Sequence, residues 1–488
     1  MTQTPCNSSK IGRAREGTSR AQSEAARRRT SRAQPLALLL VSGAAAAFLF
    51  SPAAALSADM GEVAPAVSPE PLEDVAPPAG DPFPAAANFA WRAFIALNWP
   101  AKLDPGERGA ADRAAALGDP GKRVWETFKS DYELFQSDDG RPISPTPWSS
   151  YEGRNPCGAG VDNRYKTIAS FAPFADFNQP SFAPGEPANP LVAQNGAYTR
   201  YEMRFNEPAF TIIAASGWSQ GLNLPDETHP ARLPVGSVAV KAAWRPLSAG
   251  EAPAARQRYY VESAEIVDVA KTLAAGRVVC SKSDVALVGL HIAIKTKSWP
   301  QWVWSTFEHV DNAPPAGAGG AREPDAKDAG APYSYFDPAK PAKLWPPFGS
   351  KDTAPLDWSN PPQLDPEPMQ VVRRYPIEPG IMAMNRAYWA LPGIKGTVWE
   401  HYILVASQWP TLTNPAGPQN DGAYFPGLAI APDAPRENYQ SADAPKENLV
   451  NTTIETYLQD PPSSCMSCHH SISNALGRDF VGILASFR

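Results

Sequence analysis

The pentapeptide Cys465-Met466-Ser467-Cys468-His469 has the residue types and spacing for one particular covalent chemistry. Thiols three positions apart lie about one turn apart on a helix, so both can add to the vinyl groups of a single haem. The residue after the second thiol then sits beneath the iron, where His469 would supply the proximal ligand. This reading calls for one covalent haem c on Cys465, Cys468 and His469. Other uses of the same residues compete with it. Zinc wants further ligands, and although His469 and His470 adjoin the thiols, no second Cys/His pair follows. A thioredoxin-type dithiol needs a βαβ context, and only about 20 residues remain beyond the motif. A plain disulfide in a non-haem interaction protein is the third alternative.

The sixth iron position has four candidates: His309, His291, His401 and Met384, the last with Met382 nearby. A His or Met there would favour electron transfer, whereas an open face would favour ligand binding or catalysis. Each histidine also has an ordinary reading as a hydrogen-bonded core or surface residue. His309 stands between Glu308 and Asp311, carboxylates that could orient an imidazole or simply be solvated or salt-bridged.

A haem of this kind is attached outside the cytoplasm, and the N-terminus reads as an export signal. Arg27, Arg28, Arg29 and Arg32 form a basic block, Leu36 to Phe50 an apolar run, and Ala53, Ala54 and Ala55 a small-residue cleavage site, with Ala58 as a second choice. The run is shorter than the ~18 to 20 residues of a membrane span, so cleavage is expected rather than an uncleaved anchor. Thr30 and Ser31 fit the twin-arginine route poorly. Residues 1–58 are thus read as a signal peptide, and the protein as periplasmic or secreted with no stable membrane span after cleavage.

Charge agrees with that setting. The chain of 488 residues has 44 basic and 50 acidic residues. Residues 1–58 carry eight basic and two acidic residues, so 36 and 48 remain, a net charge of −12. An acidic protein is a poor binder of nucleic acid. With Cys6 in the signal and two cysteines in CMSCH, Cys157 and Cys280 are left as one pair in an oxidising compartment, where a disulfide is expected. Two buried free thiols are the alternative.

The elements that must position these groups are short. The chain holds 54 Pro, roughly twice average usage, which favours brief strands and long irregular connections. Residues 59–84 read as a flexible Pro/Ala-rich lead-in. Helices are expected over Ala86–Trp99 and Val124–Phe135, from aromatic stripes at helical spacing, and again at Asn451–Gln459 and after His469. Strands are expected at Ala209–Ala215, Ser237–Trp244, Arg258–Val267, Ala286–Lys295, Gln301–Val310 and Glu400–Gln408, with a hairpin around Pro300. A Pro/Gly/Ala-rich stretch from Asp311 to Gln370 suggests a surface excursion. The fold class is therefore α+β and β-rich: an antiparallel sheet body, sandwich or open barrel, over 85–450, with helical flanks and a C-terminal attachment segment over 451–488.

A motif of another class is Gly217-Trp218-Ser219-Gln220-Gly221, which satisfies G-x-S-x-G after a strand-like run. Ser219 could be a hydrolase nucleophile on a sharp elbow. Pro225 interrupts the helix that should follow, and the β/α alternation of such enzymes is missing, so a Gly-rich turn is the competing reading. Walker, H-E-x-x-H and dinucleotide-binding patterns are not found.

CMSCH resembles the haem attachment site of c-type cytochromes. With WSTFEHVDN (304–312) and ETYLQ (455–459), the chain also looks like uncharacterised exported bacterial proteins of the cytochrome c family, a likeness over most of the mature chain that carries no known reaction. In small class I cytochromes a Met ligand follows the motif, and none follows Met466 here. The layout is similar to the cytochrome P-460 and c′-beta group, in which a β-rich body carries the motif near its C-terminus and the distal face takes small ligands. In the P-460 type a lysine cross-links the haem, and no lysine here is assigned that role. The resemblance implies a haem-dependent redox protein, either an electron carrier docking on a redox partner protein or an oxidoreductase acting on a small-molecule substrate.

Overall fold

A fifteen-residue strand, Cys280–Ile294, runs through the centre of the computed structural model. The structure describes residues 64–75, 83–138, 141–158, 161–169, 191–224, 232–299, 302–316, 332–340, 366–408 and 451–459. In chain order the strands are β1 (Lys129–Ser130), β2 (Ser137–Asp138), β3 (Arg141–Pro142), β4 (Lys166–Ile168), β5 (Arg200–Phe205), β6 (Val238–Pro246), β7 (Val261–Val267), β8 (Cys280–Ile294), β9 (Val303–His309) and β10 (Tyr402–Gln408). The helices are α1 (Phe83–Leu97), α2 (Asp131–Leu134), α3 (Glu207–Ala215), α4 (Ala252–Ala255), α5 (Val269–Ala275) and α6 (Pro379–Trp389).

Eight strands make one open, largely antiparallel sheet in an α+β chain; it is not a closed barrel. One edge of β8 pairs with β6 from Val285 to Ile294. Its other edge is shared: β7 covers Cys280 to Ala286 and β9 covers Gly289 to Ile294. Beyond these lie β5 and β1 on one side and β10 on the other, with β4 parallel to β7. Both faces of the sheet are covered, which is why β8 reads as the nearly continuous apolar run VALVGLHIAI rather than as an alternating strand.

One face packs against α1 and α6. Phe94 stacks on Phe307 at 4.2 Å between ring centroids, and Trp91 stacks on Tyr388 at 5.0 Å. Each such burial is worth roughly 2 to 3 kcal/mol by area. Asn385 pins the layers: it accepts from Trp91 Nε1 at 2.8 Å and from the Leu404 N–H at 3.0 Å, and donates to the Leu404 carbonyl at 2.9 Å. The opposite face carries α3 at one end and Tyr201, Val288, Tyr335 and Ile454 at the other.

The expected helix over Ala86–Trp99 corresponds to α1, and the expected hairpin to β8 and β9, with Ile294 opposite Val303. Other expectations are corrected. Ala209–Ala215 lies in α3, not a strand: Asn206 caps it by accepting from the Ala209 N–H, Pro208 suits its first turn, and Phe210 and Ile213 are buried at helical spacing. Val124–Phe135 is broken into a 3-10 turn, β1 and α2, because Phe128 is extended and Lys129 pairs with Phe205. In the lead-in, residues 64–75 lie against the body: Asp74 accepts from the Ser298 hydroxyl at 2.7 Å, and the Val75 carbonyl from Trp299 Nε1 at 2.7 Å. The stretch after Asp311 is partly core, since Asp311, Asn312 and Tyr335 are fully buried. Over Asn451–Gln459 only the last four residues form a 3-10 turn. Among the described residues no helix is long and apolar enough to cross a membrane.

Candidate functional site

Cys465, Cys468 and His469 lie outside the described residues, as do the signal segment, Pro300 and the stretch after His469. The chain leading into CMSCH is described, and it is built into the sheet. Asn451 donates to the Phe307 carbonyl at 2.8 Å and to Thr306 Oγ1 at 3.0 Å. Its own side-chain oxygen takes the Thr453 N–H at 2.9 Å and hydroxyl at 2.8 Å, an Asx turn that folds the segment back on itself. Tyr201 donates to the Thr453 carbonyl at 2.8 Å. Gln459 ends the segment, accepting from the Arg374 N–H at 2.9 Å and donating to the Val372 carbonyl at 3.0 Å. Gly289 makes the approach possible: a Cβ there would fall 2.3 Å from Thr453 Oγ1. The strings 304–312 and 455–459 thus belong to one docking surface, made by β9 and the segment that crosses it. Cys465 follows Gln459 by six residues.

The four axial-ligand candidates are not brought together. His309 and His401 adjoin, with ring centroids 6.0 Å apart. His309 is fully buried and stacked on Tyr259 at 3.6 Å. Its Nδ1 accepts from the Asp311 N–H at 3.0 Å, so Nε2 carries the proton and donates to the Arg258 carbonyl at 3.1 Å. Both ring nitrogens are engaged, which fixes a neutral imidazole. Asp311 forms a bidentate pair with Arg258, at 2.6 and 2.7 Å. Met384 is buried in the core beside α1. His291 is on the opposite face, with Nε2 3.1 Å from Glu455 Oε2. Burial raises the Glu455 carboxyl, but its pairing with His291, together with Lys241 and the Asn451 N–H, holds the group below the ordinary range. His291 is therefore the candidate that touches the segment leading to CMSCH.

Cys157 and Cys280 form the expected disulfide, with Cα atoms 5.4 Å apart. It ties the loop before β4 to the start of β8. Ser219 sits in a 3-10 turn between Gly217 and Gly221, both left-handed, and follows helix α3 rather than a strand. Its side chain is buried, so the strand-to-helix elbow of a hydrolase is not formed.

Sequence reading missed a buried charged cluster on the helix-covered face. Lys166 reaches Glu126 at 2.7 Å and Glu202 at 2.5 Å, and lies over the Trp244 ring at 4.3 Å. Arg204 pairs with Glu202 at 2.7 Å and caps the Glu126 and Phe128 carbonyls. Trp244 Nε1 donates to Glu202 at 2.7 Å. Burial pushes the Glu202 carboxyl up, but Arg204 and Lys166 outweigh it and hold it at about 2. Tyr260 places its hydroxyl between Glu126 and Glu262. The available signal was the RYEMRF run of β5, whose alternation reads as a solvated face when its charges are taken singly.

Among the described residues no group of three or more His, Cys, Asp or Glu side chains is placed to hold a metal ion. Compared with protein-family models, curated proteins and solved structures, the chain matches none.

Proposed function

We propose that this chain is an exported monohaem c-type cytochrome, a haem-dependent redox protein engaged in electron transfer or small-substrate oxidoreduction. The observation that carries the reading is CMSCH: two thiols at vinyl spacing with an imidazole directly after them. Export is supported by the basic, apolar and small-residue order of the N-terminus and by the Cys157–Cys280 bridge. The donor set of Cys465, Cys468 and His469 fits a haem c, which when bound supplies one-electron redox and axial-ligand chemistry. The body's residues tether and orient. Glu308, Asn451 and Gln459 fix the approach of the C-terminal segment, and His309 could meet an iron only by giving up at least one of the two hydrogen bonds that hold its ring. Of the candidate sixth ligands, His291 is the one seen against the segment that leads to CMSCH, and to bind an iron through Nε2 it would have to be neutral and leave Glu455.

The test is the optical spectrum of protein exported to a bacterial periplasm, recorded oxidised, reduced, and reduced under carbon monoxide. A haem c spectrum supports the reading. Ready carbon monoxide binding assigns the small-ligand branch, and a spectrum unchanged by carbon monoxide assigns the carrier. A colourless protein contradicts both.

A further inference from the structure

Tyr260 is the most unusual group outside the proposed haem segment. It is 4 % exposed, yet its one hydroxyl faces two carboxyl groups, Glu126 and, at 2.6 Å, Glu262. A phenol has a single proton to give. Two carboxylates cannot both accept it, so one carboxyl must keep its own proton and donate to the Tyr260 oxygen. Glu126 is the ionised partner: Lys166 lies 2.7 Å from it, and the Arg123 N–H donates to it at 2.9 Å. Burial raises its carboxyl, but Lys166 and Lys122 outweigh that. Glu262 is the protonated partner, pushed up by burial and by the neighbouring Glu126 charge. The hydrogen bonds therefore run from Glu262 to Tyr260 and from Tyr260 to Glu126. Packing alone needs one acceptor for a tyrosine; a second, protonated carboxyl is a cost with no gain in packing.

We propose that Tyr260 is a redox-active tyrosine, oxidised by one electron with its hydroxyl proton passing to Glu126. The Tyr260 O–H bond breaks, an O–H bond forms on Glu126, and the electron reduces a one-electron metal-centred oxidant by one unit. The product is a neutral phenoxyl that keeps the hydrogen bond from Glu262, and a one-electron reductant reverses the step. The surroundings require electron and proton to leave together. The Arg123 guanidinium lies 4.7 Å from the Tyr260 ring centroid, where it opposes any positive charge on the ring. The ring also has oxidisable neighbours through which an electron can travel, Trp399 at 5.4 Å and Trp244 at 6.1 Å. This site does not depend on the proposed haem, so its test uses an external oxidant.

The experiment is flash oxidation of the mature full chain by photogenerated tris(bipyridine)ruthenium(III), followed by transient absorption and electron paramagnetic resonance. The background carries Tyr165→Phe, which removes an exposed competitor. A tyrosyl radical is expected, formed more slowly in deuterium oxide and at a rate independent of buffer concentration, because the proton acceptor is internal. Tyr260→Phe abolishes it, and Glu126→Gln slows it by about 100-fold, a usual worth of a positioned base. A tryptophanyl radical, a signal that survives Tyr260→Phe, or a rate that climbs with buffer base would overturn the proposal. The buffer dependence needs no buried variant: it is read in a background that also carries Tyr424→Phe, Tyr439→Phe and Tyr457→Phe, so the proposal stays testable if the buried variants fail to fold.

Discussion

Thr452 gives its backbone N–H and its hydroxyl to the same oxygen of Glu308, each at 2.8 Å, while Arg373 holds the other carboxylate oxygen. All three groups are buried. This knot fixes the chain thirteen residues before Cys465 to the sheet.

Glu308→Ala removes the acceptor shared by Thr452 and Arg373 and takes one carboxylate from the buried Arg373 guanidinium. It should cost about 3 to 5 kcal/mol, whereas Thr452→Val, which loses one hydroxyl bond, should cost about 1 kcal/mol. Urea unfolding of the two variants checks the order. Equal losses would show that the carboxylate is not the centre of the knot.

Gly289→Val should loosen the C-terminal segment selectively. Its Cβ would meet Thr453 Oγ1 at 2.3 Å, and also lies 3.0 Å from Asn451 Oδ1, so the turn must lift from β8. Faster amide exchange is expected at 451–454, with exchange in β6 little changed. Unaltered exchange at 451–454 would contradict the packing.

Much of this architecture was legible in the sequence, and the exceptions have physical causes. The β8–β9 hairpin announced itself through β-branched runs around a proline. The α1 helix did so through Trp91, Phe94 and Ile95 at helical spacing. Cys157 and Cys280 were found by elimination among the five cysteines, once export was expected. By contrast, α3 contains the β-leaning run Phe210–Ala215, and its helical state is set by the Asn206 cap and Pro208 just upstream. Strand β5 was hidden because Glu202 and Arg204 are satisfied by partners far along the chain, Lys166, Trp244 and the turn at Glu126. The same holds for Tyr260, whose two carboxyls come from position 126 and from the strand that follows it. The union of 304–312 with 451–459 is likewise a long-range pairing that no local pattern encodes.

The disulfide closes a loop between residues 123 apart. In the chain-entropy account such a link stabilises by about 4 to 5 kcal/mol. The double variant Cys157→Ser with Cys280→Ser, or reduction of the wild type, should lower the urea midpoint by matching amounts. A reductant-insensitive wild type would contradict the bridge.

Acid stability should depend on Glu202. Its carboxyl is held at about 2 in the folded chain against an ordinary 4.5. A depressed carboxyl stabilises above the ordinary value and loses that contribution as pH falls through the folded value, so wild-type stability should decline between about pH 4.5 and 2. Glu202→Gln should be less stable by about 3 kcal/mol at neutral pH, with a flatter acid limb. An acid limb of the same slope in both proteins would contradict the charge pairing.

The proposed function rests on covalent haem at CMSCH. Its most direct test is the intact mass of the exported mature chain after acid denaturation, compared with the Cys465→Ala, Cys468→Ala variant. The expected result is a wild-type chain heavier by one haem that survives denaturation, and a variant at its bare polypeptide mass. A wild-type chain at the bare mass, or lighter only by the hydrogens of a second disulfide, would contradict it.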